Sequence, residues 1–205
     1  MRASLIILAF FATGLLAGVL GLLPASLNGQ DLSTWALYLL MFLVGISIGA
    51  DHRALDALKS HGLKLFLVPL ATIIGTFAGV TVIHILTTNL LLGESLAVGA
   101  GFGYYSLSSI IIGELHSEAL GVTALLANVM REIITLLMAP FFMIWFGKLA
   151  PITAGGATSM DTTLPIITRA SGKDFAIVSL FHGMVLTILV PLLVTFIVSL
   201  IPGLQ

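Results

Sequence analysis

The chain has 205 residues, 59% of them hydrophobic and 8% charged, with a mean hydropathy of +1.18, a formal net charge of -1 and no cysteine. So few polar residues cannot cover a water-facing surface, so lipid must surround most of the chain. The absence of cysteine excludes disulfides, thiolate metal sites and thiol nucleophiles, and a pI near 6.5 leaves no basic footprint for nucleic acid.

A bilayer core about 30 Å thick takes roughly 20 apolar residues per spanning helix. The sequence therefore predicts an all-α polytopic bundle, a single transmembrane domain over 1–205 that crosses about six to eight times. Met1 and Arg2 precede an apolar run to Leu23 that is too long for a signal peptide and reads as a first helix near 3–23. Further helices are expected near 32–50, 63–87, 92–113, 119–147 and 174–201, with an irregular segment over 150–168. The loop from Asp51 to Lys64 carries Arg53 and Lys59, which places it in the cytoplasm. The same count puts Arg169 and Lys173 inside and the C-terminus outside if 150–168 crosses; if that segment re-enters, the count changes the side of the C-terminus.

Two segments are unlike plain apolar helices. Gly99-Ala-Gly101-Phe-Gly103-Tyr-Tyr-Ser106-Leu-Ser108-Ser109 has glycines at alternate positions, each weakening a helix by about 1 kcal/mol relative to alanine. Thr153-Ala-Gly155-Gly156-Ala-Thr158-Ser159-Met-Asp161-Thr162-Thr163-Leu-Pro165 mixes glycines, hydroxyls, an acid and a proline at membrane depth. Irregular backbone survives there only when buried in protein or lining a watery cavity. Each segment leads through a polar turn into a long helix with a late proline, Pro140 or Pro191. A shift of about 51 residues lays Asn128 on Ser179 and Arg131 on His182, a weak internal repeat of the kind that marks transporter sites made from discontinuous helices.

Asn128, Arg131, Glu132 and Thr135 share one face of an otherwise apolar helix, a face that lipid cannot accept. An Arg131–Glu132 pair that only packs the bundle is the plain alternative, although adjacent residues point about 100° apart. With Asp161 the three buried groups sum to -1, so the site favours a cation or a proton. His182, one turn after Ser179, is a candidate relay or ligand contact. Glu114, His116 and Glu118 read as a solvated turn. No metal signature, P-loop or cofactor motif is present. Intramembrane proteolysis, with Asp161 and Glu132 paired or Ser159 as nucleophile, lacks a base at a persuasive spacing.

Gly101-Phe-Gly103-Tyr-Tyr-Ser106-Leu-Ser108, Asn128-Val-Met-Arg131-Glu132-Ile, Gly155-Gly156-Ala-Thr-Ser159-Met-Asp161-Thr162 through Pro165, His182-Gly183 and Phe42-Leu-Val-Gly45-Ile together resemble the bacterial LysO-type L-lysine exporter family. The likeness runs over nearly the whole chain, which is similar to the C-terminal two-thirds of longer single-chain members. It implies a transporter in the bacterial inner membrane, not an enzyme, that exports L-lysine and analogues such as thialysine without a cofactor. It also implies that intramembrane acids drive translocation, at positions matching Glu132 and Asp161. An acid can then take the ammonium of lysine, while Arg131 or glycine-rich backbone takes its carboxylate. Proton antiport is expected over sodium coupling. A small membrane subunit supplying further helices, or a homodimer, is expected to complete the unit. Transport of another cation or solute on a related scaffold is the alternative.

Overall fold

The structure, a computed structural model, describes residues 63–87 and 90–201 and scattered positions before them. The expected helices near 3–23 and 32–50, and most of the basic loop, lie outside the described residues. The chain divides into two units, Met1–Tyr38 and Leu39–Gln205. In the first, the Trp35 and Tyr38 rings meet edge to face at 6.0 Å. The second contains all that follows.

A 3-10 turn, Leu63–Phe66, leads into α1 (Leu67–Thr87), followed by α2 (Leu92–Gly99), α3 (Tyr105–Leu115), α4 (Glu118–Phe146), α5 (Ala150–Gly155), α6 (Leu164–Ser171) and α7 (Ala176–Ser199). No strand occurs among the described residues, as expected where lipid offers no partner to an open backbone. Ser117 starts α4 by accepting from Leu120 N–H at 3.3 Å, with Glu118 in the first turn. Three helical stretches are long and apolar enough to cross a membrane: Lys64–Leu86, Glu118–Phe146 and Lys173–Ser199. Half of the last is buried against 11% of the second, so α7 is the central helix and α4 lies toward the lipid.

The expected spanning helix over 92–113 is instead a hairpin. Glu94 at the start of α2 bonds His116 just past the end of α3 at 2.8 Å, so both ends lie at one face. At about 1.5 Å per residue α2 is ~12 Å long, less than half the core, and its turn stops near mid-membrane. The segment 150–168 does not cross either. Lys148, before α5, sits over the Phe175 ring, after α6, at 5.5 Å, which closes a second hairpin at its base. That base is sealed by Leu65, Ile152, Ile167, Val178 and Phe181. The hairpins enter from opposite faces: α7 begins at the second base and ends where Ile201 packs on Gly93 of the first.

Apolar length alone cannot distinguish a span from a hairpin of the same length, which is why the sequence suggests a crossing over 92–113 and leaves 150–168 open between crossing and re-entry. The two re-entries cancel, one before α4 and one after it. The end of α7 therefore remains opposite Lys173, as it would be had both segments crossed.

Hairpin α2–α3 followed by α4, and hairpin α5–α6 followed by α7, are the two copies of the repeat, inserted in opposite directions. Asn128 and Ser179, superposed by the sequence shift, do the same work. The Asn128 carboxamide accepts from Gly103 N–H at 2.7 Å and donates to Val98 O at 3.1 Å, fixing the first tip. Ser179 donates to Ser159 O at 2.7 Å and its own carbonyl accepts from Ser159 Oγ at 3.0 Å, fixing the second.

Glu114, His116 and Glu118 are not all a solvated turn, because His116 is held by Glu94. The His116 N–H, and then Leu91 N–H at 2.7 Å, hold the Glu94 carboxyl below its usual range. A carboxylate with a folded pKa below its unfolded value stabilises above the unfolded value and loses that contribution as pH falls through the folded one. The base of the first hairpin is therefore expected to open at acid pH, faster amide exchange over α2 being the readout. Glu94→Gln should remove that acid dependence; an unchanged acid response would show that another group governs it.

Candidate functional site

The two hairpin tips meet. Ala157 N–H donates to Phe102 O at 2.8 Å, a single peptide contact that joins the halves of the repeat. Phe102 is fully buried with φ 43°, a region costly for a bulky side chain, and its ring rests against Phe77 at 5.6 Å. Gly156 has φ 63° and lies so near that a Cβ there would overlap Phe102 O. These constraints require glycine at 156.

The polar composition of the second tip follows from its broken backbone. Thr158 Oγ1 donates to Gly155 O at 2.9 Å, and Thr163 Oγ1 donates to Thr158 O at 2.9 Å. Each hydroxyl replaces a helical bond that the turn gives up. Gly183 on α7 admits this tip, since a Cβ there would come within 2.7 Å of Met160 N and 2.8 Å of Ala157 O.

Two cavities flank the tips. One, of about 180 Å³, is lined by Asp161, Ser106, Thr158, Thr162, Tyr104 and Thr187 among others. Asp161 is exposed within it. One carboxylate oxygen accepts from Thr162 N–H at 2.6 Å, and the other has no partner among the described residues. Pro191, lacking an N–H, frees the carbonyl of Thr187 from its helical partner and adds an acceptor to the same region. A carboxylate, hydroxyls and a freed carbonyl suit a cation.

The other cavity, of about 500 Å³, lies between α1, α4 and α5, with Arg131, Thr76 and Thr153 at one end and Phe146 and Ala150 at the other. Arg131 is not paired with Glu132. Its guanidinium donates to Ala154 O and Thr153 O, each at 2.9 Å, and to Thr76 Oγ1 at 3.3 Å. The charge thus sits against the carbonyls that end α5, where the helix dipole is negative. Glu132 is partly exposed on α4, lines neither cavity, and forms no ion pair among the described residues.

The remaining candidates support the tips. Ser108 is fully buried and donates to Tyr104 O at 2.8 Å. Ser159 and His182 are fully buried too, with Ser159 Oγ 2.9 Å from His182 Nδ1 and His182 Nε2 2.8 Å from Thr72 Oγ1. A serine and a histidine do therefore meet, contrary to the expectation from spacing. Neither lines either of the two cavities, and Ser159 is also bonded to Ser179 O. Thr72 bonds Val68 O at 3.1 Å, so four contacts run from Val68 O to Ser179 O with three protons to fill them while the ring is neutral. His182 ties α1 to the second tip.

His182→Ala should lower the melting temperature of solubilised protein, a loss of about 2–4 kcal/mol from the cavity and the abandoned hydroxyls. His182→Gln should recover part of it. Unchanged melting with lost transport would instead place the ring in the transport chemistry.

A family described as Lysine exporter LysO matches residues 8–198. The chain belongs to the LysO lysine exporter family. Within it, the chain is 32% identical over 169 residues to the Lysine exporter LysO of Escherichia coli K12, covering 82% of this chain and 56% of that protein. It is 33% identical over 169 residues to a Putative lysine exporter of Haemophilus influenzae, covering 82% of this chain and 84% of that one. The chain thus spans little more than half the length of the first of these relatives. No solved structure matches it.

In this LysO-family chain the candidates separate by place. Asp161, Ser106 and Thr162 line one cavity and Arg131 the other, while Asn128, Ser108, Ser159, His182, Gly155 and Gly156 build the tips. Sequence reasoning misses Thr72 and Thr76, because α1 reads as a plain apolar span. Their signal is a hydroxyl face at i, i+4 beside Gly75, the small-residue pattern of a helix contact.

Proposed function

We propose that this chain exports L-lysine, and analogues such as thialysine, from the cytoplasm across the bacterial inner membrane in exchange for protons. The supporting observation is the Asp161 carboxylate oxygen that has no partner among the described residues, exposed in a cavity between hairpin tips that enter from opposite faces. At least ~12 Å of helix, the length of α6, separates Asp161 from the basic face. A carboxylate at that depth can trade a proton for an ammonium, because both neutralise it and neither leaves it bare.

Sidedness follows from charge. Every described lysine and arginine other than Arg131 lies at the face of the second hairpin's base: Lys64, Lys148, Arg169 and Lys173. The opposite face carries Glu94, Glu114 and Glu118. The positive-inside rule makes the basic face cytoplasmic, so the second hairpin enters from the side where lysine is loaded. Glu132, one residue from Arg131 and free of it, is proposed as a second exchangeable acid. The working unit is proposed to include a further chain, a small membrane subunit first and a second copy otherwise. The exposed Leu126, Met130, Ile133 and Leu137 on α4 provide an apolar face for it.

Efflux of radiolabelled lysine from a bacterial host lacking its own exporter tests the reading. Expression should speed efflux, and collapsing the pH gradient should slow it. Strict sodium dependence with no response to the pH gradient would reject proton exchange, and no lysine efflux beside flux of another solute would reject the substrate.

A further inference from the structure

The Asp161 cavity, at about 180 Å³, is below the ~300–1,000 Å³ usual for small-molecule sites, whereas the Arg131 cavity, at about 500 Å³, lies within that range. The hairpin tips lie between the two. Gly103 approaches Arg131, a Cβ there falling 3.8 Å from Arg131 Cδ, while Gly103 itself lines the Asp161 cavity. On the Arg131 side the cavity follows α4 from Phe146 at the basic face to Arg131, about 22 Å of helix.

Arg131 closes its inner end with capacity to spare. A guanidinium carries five N–H groups in a planar fork, and the bonds to Ala154 O, Thr153 O and Thr76 use one on each nitrogen. Among the described residues, each terminal nitrogen keeps one N–H without a partner. Those bonds also fix the fork's orientation before any ligand arrives, which reduces the ordering cost of binding. The walls include Ala71, Phe142 and Ala154, so a charge pair formed there is poorly screened. Thr72 and Thr76 add hydroxyls beside the fork.

We infer that the Arg131 cavity is a loading dock, open to the basic face, that takes the carboxylate of an amino acid before the cargo's cationic end reaches Asp161. This rests on the reading of the chain as an amino-acid exporter. A planar fork with two free N–H groups suits a carboxylate, which accepts two parallel bonds, better than a second ammonium. The dock and the Asp161 niche thus recognise opposite ends of one zwitterion, and the hairpin tips between them must part for both to be occupied together.

The chain has no native cysteine, so Ala150→Cys supplies a single thiol in the dock. In membranes expressing it, labelling by a water-soluble maleimide should slow roughly tenfold with saturating L-lysine. Cadaverine, which is lysine without its carboxylate, should give no protection. L-Leucine should protect partly, since the dock reads the end that all amino acids share. Adding Arg131→Gln should abolish protection by L-lysine, measured against the ligand-free labelling rate of that same double variant. Equal protection by cadaverine and lysine overturns the inference, and so does protection by phosphatidylglycerol with none by lysine. Either result counts against the dock whether or not lysine efflux is found, so the dock and the export reading fail separately.

Discussion

Lysine export per molecule is expected to fall to background in Asp161→Asn while the protein still accumulates in the membrane. Asparagine keeps the size of the side chain and an acceptor for Thr162 N–H and Thr162 Oγ1, the partners of the native carboxylate among the described residues. The fold therefore loses little. What disappears is a charge that can be neutralised alternately by a proton and by an ammonium, and no other acid among the described residues lines that cavity. Glu132→Gln is expected to lower export as well, again at normal abundance. Had Glu132 paired with Arg131, the same substitution would strand a buried cation at a cost of about 3–5 kcal/mol and deplete the protein. Arg131 is held by carbonyls instead, so that penalty is absent. Glu118→Gln, at the acidic face, should leave export near the native rate. Normal export per molecule in both Asp161→Asn and Glu132→Gln would reduce the intramembrane acids to scaffold.

Gly156→Ala is expected to have the largest effect on the fold at the tips. A methyl group would occupy the position of Phe102 O, and φ 63° with ψ -132° is a conformation that residues other than glycine hold at about 1–3 kcal/mol. Overlap with a backbone carbonyl cannot be relieved by rotating a side chain. The tips must separate, which breaks the Ala157–Phe102 bond and opens a path between the cavities. Export should be lost, with abundance reduced by less than the export rate. Gly113→Ala serves as the control, since a Cβ there meets nothing within 4 Å. Native behaviour of Gly156→Ala would mean that the tips are looser than their contacts imply.

The long helices are legible in the sequence because apolar length and polar ends are local properties: a helix is expected over 119–147 and Glu118–Phe146 is found. Both interrupted segments are visible through glycines and hydroxyls. Their direction is not, because re-entry is decided by which ends meet, and the Glu94–His116 and Lys148–Phe175 contacts link residues far apart in the chain. The partners of Arg131 are equally hidden. They are backbone carbonyls, which every residue has, so no residue type announces them. The repeat, by contrast, carries three-dimensional information. Superposing Asn128 on Ser179 identifies the two residues that fix opposite tips, and the identity of neither side chain would show this alone.

The central claim is that cargo passes between the hairpin tips beside Asp161. Ser106 and Thr158 line that cavity from opposite hairpins. In the cysteine-free chain, Ser106→Cys with Thr158→Cys can be bridged by a short thiol-reactive crosslinker whose disulfide linkages a reductant cleaves. Bridging should stop export of radiolabelled lysine, reductant should restore it, and either cysteine alone should export before and after treatment. Export by the bridged protein at the unbridged rate would contradict passage between the tips.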